Sequence, residues 1–69
     1  MKKDIIEQIC FNNDIWALDE AKSWIELNGF NPSYDIWAGY IRFKQHKKES
    51  KNFKLIHIGK GLTFIIGFY

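Results

Sequence analysis

ALDEAKSWIELNG, residues 17–29, is the stretch on which the fold turns. At 100° per residue, Ala17, Leu18, Ala21, Trp24 and Ile25 fall within one arc, while Asp19, Lys22, Ser23 and Glu26 take the opposite side. The spacing predicts an amphipathic helix from Ala17 or Leu18 to Asn28 that lies on a second layer. Asp19 and Glu20 complement the positive end of the helix dipole, and Asn28-Gly29 supplies residues that accept a left-handed conformation and end the helix. Pro32 closes off any continuation.

Downstream of Pro32 the period changes to two. Between Ile36 and Gln45, Trp37, Ile41 and Phe43 are expected to face the helix, with Tyr40, Arg42 and Lys44 on the other side and Gly39 as a bulge. Phe53–Ile58 and Leu62–Phe68 are β-branched and aromatic runs joined by Gly59-Lys60-Gly61, which reads as a hairpin turn. A phosphate-binding reading of that turn lacks both the eight-residue pattern and the following helix. Upstream, Ile5–Phe11 is ambiguous. Asp4 with Glu7 resembles a capping box, and Ile5, Ile6 and Ile9 would share a helical face, yet a strand here would widen the floor beneath Trp24 and Ile25.

The chain has 69 residues, enough for one domain (1–69) and no second one. Its 46% hydrophobic and 17% aromatic content against 26% charged residues excludes a disordered chain. Cys10 is the sole cysteine, which rules out an internal disulfide, argues against a cysteine-based zinc site and suits a reducing compartment. Two acids interrupt the start MKKDIIEQIC as a secretory signal, and the longest apolar stretch, Leu62–Tyr69, is far below the ~20 residues of a membrane span. A soluble, cytoplasmic location without a membrane partner is expected.

The formal charge of +2 is unevenly distributed. Seven acids oppose three lysines from Met1 to Asp35, whereas seven bases oppose Glu49 from Ile36 to Tyr69. Such segregation suits a one-sided partner; it equally suits a solvated loop whose lysines keep a sheet edge soluble. Arg42, Lys44, Lys47, Lys48, Lys51 and Lys54 are expected to form one positive edge, because the end of one strand and the start of the next are neighbours in an antiparallel pair. With Tyr40 they make the candidate binding set.

Catalytic and metal chemistry find little footing. His46 and His57 have no second close ligand in sequence, Cys10 follows Ile9 like an ordinary core residue, and the helix carboxylates lie toward solvent. Neither an enzyme nor a cofactor is expected. Tyr40 with Arg42 and Lys44 on an open sheet would offer a stacking platform for single-stranded nucleic acid. Alternatively, apolar area from Ile36, Phe53, Leu55 and Phe68 would make the second face a homodimer interface or a protein-docking surface.

The run Phe11, Trp16, Ala21, Lys22, Trp24, Ile25, Asn28, Gly29, Phe30, then Tyr40-Ile41-Arg42-Phe43-Lys44-Gln45, Gly59-Lys60-Gly61-Leu62 and Ile65-Ile66-Gly67, resembles a small domain of bacteriophage and large DNA virus proteins. The likeness spans about Ile5 to Phe68. Ala17 departs from the threonine cap usual there, and Lys44 replaces the second arginine of an RFRQ motif, losing a planar fork. The resemblance implies a strand before the helix. It also implies a viral or phage accessory module, in the host cytoplasm or the virion, that binds or inhibits a host or virion protein.

The expected fold is therefore α+β in two layers: one amphipathic helix on a four-stranded mixed sheet, in the order strand, helix, three strands. Ile5–Phe11 would run parallel to a neighbour and the last three strands would form a meander. Trp24 is the anchor between the layers, so Trp24→Ala is expected to cost about 3 kcal/mol or more in a denaturant titration. An unchanged midpoint would place the indole outside the core.

Overall fold

A computed structural model describes residues 4–47 and 50–68. The chain runs β1 (Asp4–Asn12), α1 (Leu18–Leu27), β2 (Tyr34–Trp37), β3 (Tyr40–Lys44), β4 (Asn52–Gly59) and β5 (Leu62–Phe68). It is an α+β fold with one helix on a five-stranded, wholly antiparallel open sheet of order β2-β3-β1-β5-β4.

The helix forms where its apolar spacing predicts. Ala21 and Ile25 are fully buried, while Leu18 and Trp24 pack at the margin of the core. Its start lacks a side-chain cap at Ala17, and the Glu20 carboxylate compensates by accepting the Ala17 backbone N–H at 3.0 Å. Asn28 donates its side-chain amide to the Trp24 carbonyl at 2.8 Å, and Gly29 turns the chain away at φ 74°. Beneath the helix lie Ile9 and Phe11 of β1, Ile41 and Phe43 of β3 and Leu62 of β5. Phe11 is the hub, with edge-to-face contacts to Trp16 (4.9 Å between ring centroids), Phe43 (5.6 Å) and Trp24 (5.8 Å). The partly buried Trp24 also stacks on Phe30 and meets Phe64 edge-on.

Four expectations are corrected. The sheet has five strands rather than four because the segment read as one strand through Gly39 is a hairpin. Ala38 and Gly39 both take positive φ, 50° and 83°, and reverse the chain between β2 and β3. The reversal moves Trp37 off the helix side, where it was expected, to the opposite face beside Tyr40. The sheet is not mixed: β1 is antiparallel to both its neighbours. The helix does return the chain to a strand running in the β1 direction, but that strand, β2, lies two places away with β3 between them. Nor do the last strands form a meander, since β1 and β5 stand between β3 and β4.

The first strand owes its face pattern to a bulge. Ile6 pairs with Ile66 and Gln8 with Ile65, leaving Glu7 as an extra residue. Ile6 and Ile9, three apart, thereby both reach the core, which is why their spacing imitates a helix. Glu7 is buried and fastens the connection between β3 and β4: its carbonyl accepts the N–H groups of Gln45 (2.7 Å) and His46 (3.3 Å), and its carboxylate accepts that of Ser50 (2.6 Å). Gly67 makes room for it. A Cβ at Gly67 would lie 2.5 Å from Glu7 Oε1 and 2.6 Å from Ser50 Oγ. Gly67→Ala is therefore expected to cost about 1–3 kcal/mol by calorimetry or denaturant titration. Wild-type stability in that variant would mean that the carboxylate has free space to move into.

Candidate functional site

Among the described residues, no element covers the face of the sheet away from the helix. Register alone assigns its residues. One row crosses all five strands as Asp35, Arg42, Cys10, Thr63 and His57. Beside it run Trp37 and Tyr40 toward the hairpin turn, and Lys44, Gln8, Ile65 and Leu55 toward the other end, followed by Ile5, Gly67 and Phe53. Trp37, Tyr40 and Arg42 on one side and Leu55 and His57 on the other enclose a groove of about 360 Å³, floored by Gln8, Cys10, Thr63 and Ile65. Its walls are open to solvent: Trp37 is 62% exposed and Leu55 55%.

The polar groups of this face are largely satisfied by one another. Arg42 donates from Nε to Asp35 Oδ1 at 2.9 Å and from Nη2 to Asp35 Oδ2 at 2.7 Å, a two-pronged pair across β2 and β3. The guanidinium carbon lies 5.4 Å from the Trp37 ring centroid, so one cation serves both the carboxylate and the indole. The Arg42 hydrogen bonds hold the Asp35 carboxyl below its ordinary value. Across the groove, His57 Nδ1 and Thr63 Oγ1 share a hydrogen bond of 2.9 Å.

Cys10 lies between these pairs and is buried. Burial pushes its thiol pKa up, opposed by the Arg42 charge, so the protonated and poorly nucleophilic form is favoured. Its place is the groove floor rather than the helix-side core. His57 is two strands away, about 10 Å, and is exposed rather than half-buried as a strand residue of this kind would suggest. Among the described residues no three His, Cys, Asp or Glu side chains group to hold a metal ion, and no helix is long and apolar enough to cross a membrane.

The cationic set does not gather into one edge. Arg42 and Lys44 lie on the open face with Tyr40, which forms part of the groove wall. Lys54 lies on the helix side of β4, its ammonium 5.2 Å from the Phe68 ring centroid. Lys47 and Lys51 are exposed in the connection between β3 and β4, and Lys48 lies outside the described residues. The expected edge required β3 and β4 to be adjacent; two strands separate them, about 14 Å of sheet. Of the apolar residues assigned to the second face, Phe53 and Leu55 are there, while register puts Ile36 and Phe68 on the helix side.

Sequence reading missed Trp37, Asp35, His57 and Thr63 as parts of the surface. The hairpin at Ala38-Gly39 brings Asp35 opposite Arg42 and Trp37 opposite Tyr40, while the β4–β5 hairpin sets His57 opposite Thr63. No protein-family model, curated protein or solved structure matches this chain.

The Asp35–Arg42 pair fixes a pH dependence. A carboxyl held below its ordinary value of 3.8 contributes stability that is present above that value and lost as pH falls through the lowered one. Carbon-detected NMR titration is expected to find the Asp35 midpoint below 3.8 in the native chain and moved upward in Arg42→Gln. A midpoint insensitive to that substitution would contradict the pairing.

Proposed function

We propose that this chain is a non-enzymatic binding module that receives a protein partner on the open face of its sheet. The observation carrying the reading is the groove itself: a trough walled by Trp37, Tyr40 and Leu55 in which the cation among the described lining residues, Arg42, is already neutralised by Asp35. Desolvating such a surface exposes little uncompensated charge, and a tryptophan and a tyrosine at its rim are the side chains that most often dominate protein contacts. The lysines outside the groove are spread over two faces and a connection, so they do not track a phosphate backbone as a basic channel does. The sequence resemblance supports a viral or phage accessory role, with a host or virion protein as the partner.

Single-stranded nucleic acid is the second reading, favoured by one feature: Trp37, Tyr40 and Lys44 share the open face. The two readings respond differently to salt. A phosphate-driven complex weakens by about 0.7 log units per tenfold increase in salt for each single-strand phosphate neutralised, whereas apolar docking persists. Capture of host or virion proteins on the immobilised chain is expected to survive half-molar salt and to lose about 2 kcal/mol of affinity in Trp37→Ala. Oligonucleotide binding that is abolished by salt and by Lys44→Gln would establish the second reading instead.

A further inference from the structure

We propose that β4 is a dimerisation edge, and that its partner is β4 of a second copy of this chain, paired antiparallel about a two-fold axis at Leu55. The two edges of the sheet are built differently. β2 is four residues long and follows Pro32 closely, two features that blunt an edge against further pairing. β4 is eight residues long, lacks proline, and displays Phe53, Leu55, Ile56 and Ile58 at 36% to 58% exposure. Such a strand offers a row of outward N–H and C=O groups with apolar side chains on both sides.

The residues of β4 specify a second copy and its register. In a two-fold pair each strand keeps its open-face residues on the same side, so residues of like parity must meet. Centring on Leu55 sets Leu55 against Leu55, Phe53 against His57 and Lys54 against Ile56, with no like charges opposed. Moving the axis to residue 54 would set two lysines face to face. Moving it to residue 56 would draw the bulged Ile58, where the β4–β5 register slips between His57 and Gly59, into the paired segment. The regular run Phe53–His57 is thus self-complementary only about its middle. Because β2 is blunted, the pairing closes on itself instead of propagating as a filament. Two five-stranded sheets become one of ten strands with both grooves on the same side.

The proposal does not depend on what the groove binds, and its test separates the two. Sedimentation equilibrium of the intact chain from micromolar to millimolar concentration is expected to find a monomer–dimer equilibrium. Ile56→Lys lies on the helix side of β4, away from the groove, and would oppose a lysine to Lys54 of the second copy; it is expected to weaken dimerisation about tenfold or more, with an unchanged circular dichroism spectrum. Trp37→Ala, on the far strand, is expected to leave dimerisation intact. In a Cys10→Ser background, Leu55→Cys is expected to form an intermolecular disulfide on mild oxidation, since residues directly opposite have Cβ atoms about 5 Å apart. Phe53→Cys is not, because its counterpart lies about 13 Å along the strand. A chain that stays monomeric at millimolar concentration overturns the proposal. So does a dimer indifferent to Ile56→Lys, or one lost in Trp37→Ala, as would follow if two copies met face to face through the grooves. Equal cross-linking at positions 53 and 55 also overturns it.

Discussion

Everything in this fold hangs on β1 having a partner on both sides. Gln8–Asn12 pair with β3 along one side and Asp4–Phe11 with β5 along the other, so the first strand of the chain is the middle of the sheet. That position explains the aromatic hub, since Phe11 can meet rings from α1, β3 and the loop before the helix only from the centre. The end of the strand is also stitched to both hairpin turns: Asn12 donates its backbone N–H to the Gly61 carbonyl at 2.7 Å, and Asn13 donates to that of Gly39 at 2.9 Å. At the other end Glu7 holds the connection that must cross from β3 to β4. A small chain without disulfides thus secures its longest loop with hydrogen bonds to one buried residue.

The same architecture makes the two faces of the sheet chemically unlike. One helix is enough to cover β1 and its flanking strands, but it leaves the opposite face to arrange its own polarity. It does so in part by pairing polar groups across strands. Arg42 is held by Asp35 and covers the Trp37 ring, and His57 is held by Thr63. The result is a trough in which Arg42 and His57 have partners within the sheet and whose aromatic walls face solvent. The proposed protein partner suits such a surface, since polyanion recognition relies on several cations gathered along a phosphate backbone.

Parts of this were legible in advance. The helix, its stop at Asn28-Gly29 and the Gly59–Gly61 hairpin follow from local patterns that do not depend on distant residues. Alternation from the buried Ile41 and Phe43 puts Tyr40, Arg42 and Lys44 on the open face. The β2–β3 reversal was not legible for a specific reason. A two-residue turn with both φ values positive is usually announced by Asn-Gly or Asp-Gly, and here an alanine takes the first position at φ 50° against its own steric preference. Reading through it as a bulge displaced Trp37 and hid Asp35 as the partner of Arg42. The Glu7 bulge misled in the opposite sense, since it gave a strand the i, i+3 spacing of a helix.

The amino-acid sequence by itself determined the α+β class, the single helix with its buried stripe and the absence of a disulfide, because periodicity and residue type act over a few neighbours. Only the tertiary structure decided the strand order β2-β3-β1-β5-β4, and with it which residues share the groove and which cations stay apart. Strand adjacency is a long-range choice. It is settled by which arrangement buries Ile9, Phe11, Ile41, Phe43 and Leu62 under one helix while leaving each ladder hydrogen-bonded, and no local pattern encodes that sum.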